Sequence, residues 1–248
     1  MSVTVETRGR LGILRIDHLA TMNALSPCVI ASLDADLLRL AADSSIRVIF
    51  ITGTGPAFSA GADIRFMSSA SPEECRNYLE QAQQFLQRIE TLRVPVVAIV
   101  NGVCTGGGCT LAGACDFALA ADSATFGEPE AKIGLPGGFG NIPRLLRRVG
   151  GATAAELLLT GKIVDADTAR QMGLVSRVVP AASLWDEAEK LAQQVAANSP
   201  TALAQIKPLL RCEDVSGSME IDAYINCLEK GEAREGMRAF LEKKPPAW

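Results

Sequence analysis

The apolar positions change period several times along the chain, and each change marks an element. Val3 and Val5 alternate with polar neighbours. After Arg8-Gly9-Arg10 the run Leu11-Gly12-Ile13-Leu14-Arg15-Ile16 is extended again, so the chain is predicted to open as two strands joined by a turn. From Ser26-Pro27 the period becomes helical, with Leu33, Leu37, Leu38 and Ala41 expected on one face. Val48-Ile49-Phe50-Ile51 is apolar at every position, which suits a strand covered on both sides. Ser71-Pro72-Glu73-Glu74 carries the capping hydroxyl, the first-turn proline and the reciprocal acid of a helix start, and that helix is predicted to reach about Leu92. Residues 95–100 form a second fully apolar strand that runs into Asn101-Gly102, a glycine cluster and a short helix. Residues 116–121 are strand-like again.

Strands therefore alternate with helices through residue 182, which implies α/β architecture with right-handed crossovers. Beyond it the pattern is helical and amphipathic over 182–198, 200–211 and 219–235, with a last piece at 238–242. The expected organisation is an α/β core over residues 1–182 and a C-terminal helical region over residues 183–248, of the kind that supplies an oligomer contact.

Composition narrows the chemistry. Hydrophobic residues make up 48% and charged residues 21%, which provides for a sizeable core and argues against disorder. The net charge is −4 and no basic run stands out, so no nucleic-acid partner is expected and an anionic ligand would need a local site. No run approaches the ~18 unbroken apolar residues of a membrane span, and residues 1–10 lack an apolar signal core. No membrane partner is expected, and the expected compartment is the cytoplasm. The seven cysteines are scattered, mostly in apolar runs and without a C-x-x-C pair, so buried reduced thiols are expected.

Whole classes of catalyst drop out. A Ser-His-Asp triad or a histidine-rich metal site would rest on the single histidine, His18, in Ile16-Asp17-His18-Leu19, which reads instead as a turn residue. Gly53-Thr54-Gly55-Pro56 follows a strand but lacks the third glycine of a dinucleotide fingerprint, and there is no G-x-x-x-x-G-K-[ST].

Two segments remain. Ala57-Phe58-Ser59-Ala60-Gly61-Ala62-Asp63-Ile64-Arg65 follows a buried strand, and its small residues let a ligand reach the main chain. An ordinary tight loop has the same composition. Asn101-Gly102-Val103-Cys104-Thr105-Gly106-Gly107-Gly108-Cys109-Thr110 sets three glycines before a short helix, whose free amides carry positive partial charge and suit a developing oxyanion. A phosphate-cradling or purely packing turn fits that segment too.

Taken together, A-F-S-A-G-A-D-I followed by N-G-x-x-x-G-G-G-C resembles the paired signature of the enoyl-CoA hydratase/isomerase (crotonase) superfamily. Supporting matches include Asn23-Ala24-Leu25, Cys115-Asp116, Phe126-Gly127-Glu128-Pro129-Glu130, Leu159-Thr160-Gly161 and Arg234-Glu235-Gly236-Met237-Arg238-Ala239-Phe240, so the likeness runs the length of the chain. It implies a spiral of ββα units followed by C-terminal helices that assemble trimers or hexamers.

The resemblance also assigns residues. Ala62 and Gly107 would each donate a backbone amide to the thioester oxygen. Ala60, Asp63 and Ile64 would line the coenzyme A site, with Arg65 meeting a phosphate and Lys243 or Lys244 helping. Gly106 would line the substrate site, Gly138 would stand where a family amide helps hold the reacting water, and Phe139 would add bulk at the pocket rim. Family hydratases use two glutamates. The later one matches Glu130, but the earlier position is Thr110, a poor base. Glu130 is then the single acid/base, and Glu128, two residues earlier, is expected to face elsewhere. Metals and redox cofactors are not implied, since coenzyme A arrives as part of the acyl-CoA substrate. One carboxyl suits double-bond isomerisation through an enolate. Hydration, decarboxylation of a malonyl-type thioester on the same oxyanion site, and non-catalytic acyl-CoA binding stay open as alternatives.

Overall fold

The computed structural model describes residues 2–212 and 214–248. Strands β1 (Val3–Arg8) and β2 (Leu11–Ile16) form the predicted hairpin. Helix α1 (Pro27–Ala42) follows, capped by the Ser26 hydroxyl on the Val29 amide. Its inner face is Val29, Ile30, Leu33, Leu37 and Leu40, while Leu38, expected there, is 42% exposed. At 100° per residue, Leu37 and Leu40 share a face and Leu38 points away from it.

The middle of the chain repeats one pattern. β3 (Val48–Gly53) passes into the short β4 (Ala57–Ser59) and then α2 (Ile64–Ser69) and α3 (Pro72–Thr91). β5 (Val96–Val100) passes into β6 (Val103–Thr105) and α4 (Gly107–Ala114). β7 (Phe117–Ala121) passes into β8 (Thr125–Gly127) and, through a short 3₁₀ turn, α5 (Asn141–Thr160), which breaks at Gly150. After β9 (Ile163–Asp165), α6 (Ala166–Met172) and β10 (Arg177–Val179), the chain ends in α7 (Leu184–Ala196), α8 (Pro200–Arg211), α9 (Gly217–Glu229) and α10 (Glu232–Glu242). The predicted 219–235 helix is two helices. Gly231, at φ +86°, is the N-cap of α10 and turns the chain between them.

The longer strands form a sheet ordered β1-β2-β3-β5-β7-β10, parallel except for β1, and the short ones form a second sheet ordered β4-β6-β8-β9. The ββα units thus shuttle between two sheets. The first sheet is covered on both faces, which explains why β3 is apolar from Val48 to Ile51. Ile49 and Ile51 join the core under α1, α3 and α4, while Val48 and Phe50 join a second core closed by Leu184, Ala188 and Leu191 of α7. Helix α8 is tied inward by the buried ion pair of Lys207 with Asp116 at 2.8 Å and by Arg211 on Glu90 at 2.9 Å. Leu210, Ile221, Tyr224, Phe240 and Leu241 on α8, α9 and α10 are each more than 60% exposed. None of the described helices is long and apolar enough to cross a membrane. Of the seven free cysteines, 104, 109 and 115 are buried, 75, 212 and 227 are partly buried, and Cys28, contrary to the expectation of burial, is exposed.

Candidate active site

The second sheet builds the site. β4, β6 and β8 are parallel neighbours, with Ser59 paired to Cys104 and Cys104 to Phe126. Adjacent strands lie about 4.8 Å apart. Ala62 is three residues past Ser59 and Gly107 three past Cys104, while Glu130 is four past Phe126. Register alone therefore brings the first loop, the glycine turn and the carboxyl out side by side, at the C-terminal ends of parallel strands where α/β folds hold their ligands.

Glycine is required where these loops meet. A Cβ added at Gly107 would lie 3.2 Å from the Ala62 nitrogen, and one at Gly61 would lie 2.9 Å from the Gly107 nitrogen, so the two amides are close neighbours. Gly61 (φ +96°) and Gly106 (φ +53°) also adopt backbone that L side chains avoid. The first helical hydrogen bond of α4 runs from the Thr110 amide to the Gly106 carbonyl, which leaves the Gly107 amide free at the positive end of the helix.

Two asparagines hold the first loop from below. Asn23, fully buried at φ +61°, donates to the Ala57 carbonyl at 2.7 Å and accepts the His18 amide at 2.9 Å. Asn101 donates to Gly55 O and Ala57 O, and accepts the Gly53 amide. Ser59 donates to Asn23 O at 2.8 Å, Ala60 donates to Met22 O, and Leu25 donates to Gly61 O. His18 is the predicted turn residue, its ring against Thr21 Oγ1 at 2.7 Å.

The Glu130 carboxyl lies against Gly106, where an added Cβ would come within 2.6 Å of Oε1, and its Oε2 is buried without a hydrogen-bond partner. Burial raises its pKa, opposed by a hydrogen bond from its own backbone. Thr110 is buried, and its hydroxyl donates back to the Gly106 carbonyl at 3.2 Å.

Glu128, expected to face elsewhere than Glu130, turns to the start of α5 and is buried. It is 2% exposed, accepts the Asn141 side-chain amide at 2.8 Å, and burial, helped by the nearby Glu130 carboxylate, pushes its pKa well above the ordinary carboxylate value. The partner is supplied by α5, whose first residue is Asn141. One expectation is corrected here: Phe139 does not stand at a rim. It is 3% exposed, at φ +59°, and its ring lies on Gly107, 2.8 Å from where a Cβ would be. Gly138 is partly exposed, beside Leu79.

The residues expected to meet coenzyme A spread outward from this centre. Ala60 is partly buried and its carbonyl accepts the Thr105 hydroxyl, while Ile64 and Arg65 are exposed on α2. Asp63 caps α2 through the Phe66 amide. Tyr78, which the sequence did not single out, donates its hydroxyl to Leu25 O and accepts the Asp63 amide at 3.0 Å.

Comparison with known proteins places the chain in a family and a fold. The sequence profile of the enoyl-CoA hydratase/isomerase family matches residues 6–248. The chain is 36% identical to a crotonyl-CoA hydratase of Syntrophomonas wolfei over 249 residues, covering 98% of this chain and 96% of that protein. It is 32% identical to a short-chain-enoyl-CoA hydratase of Clostridium acetobutylicum, with 98% and 95% covered. The crystal structure of an enoyl-CoA hydratase from Bacillus anthracis superposes with a TM-score of 0.96 at 31% identity, covering 100% of this chain and 99% of that one. Likeness of this extent in both sequence and backbone makes the protein an enzyme of the enoyl-CoA hydratase/isomerase family, with the crotonase fold.

Proposed function

We propose that the enzyme moves a proton on an acyl-CoA thioester through an enolate held by the Ala62 and Gly107 amides, with Glu130 as its single acid/base, and that it favours double-bond isomerisation over hydration. The observation that carries this reading is the Glu130 carboxyl against Gly106, the residue before the Gly107 amide, with a threonine, bonded back to the Gly106 carbonyl, at the position of a second acid.

A thioester α-proton is weakly acidic. Hydrogen bonds to the carbonyl strengthen as negative charge builds on the oxygen, so they lower the barrier more than they tighten binding. Each such donor is worth ~3 kcal/mol of barrier. Glu130, its pKa raised by burial, is suited to take a proton from one carbon and return it to another. Two-carboxyl hydration sets an acid and a base on one water, and Thr110 offers only a hydroxyl, so hydration here would be slow. Coenzyme A enters as part of the substrate, with exposed Ile64 and Arg65 beside the first loop as its contacts.

Hydration is the second reading, favoured by the names of the relatives above. The two separate in parallel turnover of 3-enoyl-CoA and 2-enoyl-CoA. Faster isomerisation of the former supports the proposal. Fast hydration of the latter that survives Glu130→Gln removes it.

A further inference from the structure

Backbone donors cannot be aimed by their own side chains, so something else must hold the two amides on one point. One side chain touches both halves of the site. Tyr78, in α3, is 2% exposed. Its hydroxyl uses both of its hydrogen-bonding directions on backbone. It accepts the amide of Asp63, the residue after Ala62, and donates to the carbonyl of Leu25, whose strand bridge is with Ala62 itself. The Leu25 amide in turn holds Gly61 O at 2.8 Å. The peptides on both sides of Ala62 are thereby pinned to one tyrosine and one neighbouring segment.

The ring of the same residue acts on the other half. It meets Phe139 edge-on, with centroids 5.3 Å apart and planes at 89°, and it meets Phe66 of α2 at 5.3 Å and 75°. Such edge-to-face pairs are directional. Phe139 is held in left-handed backbone with its ring on Gly107, the second donor.

We propose that Tyr78 is a positioning residue for the oxyanion site: its hydroxyl orients the Ala62 segment, and its ring seats Phe139 on Gly107, so that the two amides converge on one carbonyl oxygen. The inference rests on the reading that these amides polarise a thioester. No contact with the reacting atoms is assigned to Tyr78: its hydroxyl spends its one proton on the Leu25 carbonyl and accepts the Asp63 amide. Burial pushes the phenol pKa up, so the group stays a neutral donor throughout the working range.

If Tyr78 only fills the core, Tyr78→Phe should be catalytically silent, because the ring and nearly all the volume remain. If it positions the donors, the substitution releases the Asp63 amide and the Leu25 carbonyl and lets the first donor drift. The measurement is the carbonyl stretch of bound acyl-CoA, labelled at the thioester carbon, by infrared or Raman difference spectroscopy, alongside steady-state kinetics. The wild-type enzyme is expected to shift the band to lower frequency. Tyr78→Phe should lose about half or more of that shift and about tenfold to a hundredfold in kcat, with KM changed by no more than about twofold. A full shift with unchanged kcat in Tyr78→Phe overturns the role of Tyr78 and leaves the two-amide mechanism standing. No shift in the wild-type enzyme overturns the mechanism and this inference with it. Phe139→Leu, which keeps both hydroxyl bonds, tests the ring contact separately. A wild-type shift and kcat there overturn that half of the proposal.

Discussion

Replacing Glu130 by glutamine tests the chemistry with the least disturbance of shape. The carboxyl sits against Gly106, and its Oε2 is buried without a partner, so the amide occupies the same space and breaks no hydrogen bond to another residue. What it removes is the proton carrier. General acid–base catalysis contributes about 10²- to 10⁴-fold. With no second carboxyl at position 110, the same group must take and return the proton, which puts the loss near the upper figure: about 10⁴ in kcat, or about 5.4 kcal/mol of barrier. KM should move little, because the Ala62 and Gly107 amides remain. Stability supplies the control. A carboxyl whose folded pKa lies above its unfolded value costs stability as pH rises through that interval, because the charged form is disfavoured in the folded protein. Glutamine lacks that cost, so the melting temperature of Glu130→Gln relative to wild type should rise with pH. The assays are turnover of 3-enoyl-CoA, followed by absorbance of the conjugated product, and thermal melts across the same pH range. Turnover within about tenfold of wild type would refute the reasoning, since that is below what acid–base catalysis supplies. So would a melting temperature that drops together with activity, since the loss would then be structural.

Three further outcomes are expected. Glu128 carries a strongly raised pKa in a fully buried place, so wild-type stability in urea should decline as pH rises above the ordinary carboxylate range, and Glu128→Gln should flatten that decline; equal slopes would show that its burial charges the protein nothing. Thr110→Glu restores a second acid on the first turn of α4 and should raise hydration of 2-enoyl-CoA relative to isomerisation by about tenfold or more, whereas an unchanged ratio counts against position 110 as the reason for the preference. We also propose that the apolar side chains exposed on α9 and α10 are covered when the chain self-associates into trimers or hexamers; Phe240→Glu, at a side chain 82% exposed, should then lower the sedimentation coefficient, and an unaltered one would exclude Phe240 from the contact.

What could be read from the sequence and what could not divides along a physical line. Val48–Ile51 and the 95–100 run are apolar at every position, and only a strand covered on both faces requires that, so both were legible. The start of α3 was legible because its capping box is local chemistry: Ser71 and Glu74 bond each other's backbone without help from the rest of the fold. Leu38 falls outside the buried face of α1 because a short apolar stretch fits more than one helical phase, and packing settles which is inside. The short strands β4, β6, β8, β9 and β10 are too brief to show any period, and their pairings are long-range.

That second group matters most for the site. The motifs around Ala62, Gly107 and Glu130 could be recognised one by one, but their meeting depends on β4, β6 and β8 being parallel neighbours in a particular register. A slip of one residue in any of these pairings would move a strand about 3.3 Å, and with it the loop that carries Ala62 or Glu130, roughly the length of the hydrogen bond each is meant to make or support. Two side chains whose partners the sequence does not reveal follow the same logic. Tyr78 looks like one more apolar-face residue of α3, and Glu128 like a charge beside a proline. Each acquires its role from a partner far along the chain, Leu25 for the one and Asn141 for the other. Register and distant partners are set by packing, and no local pattern carries them.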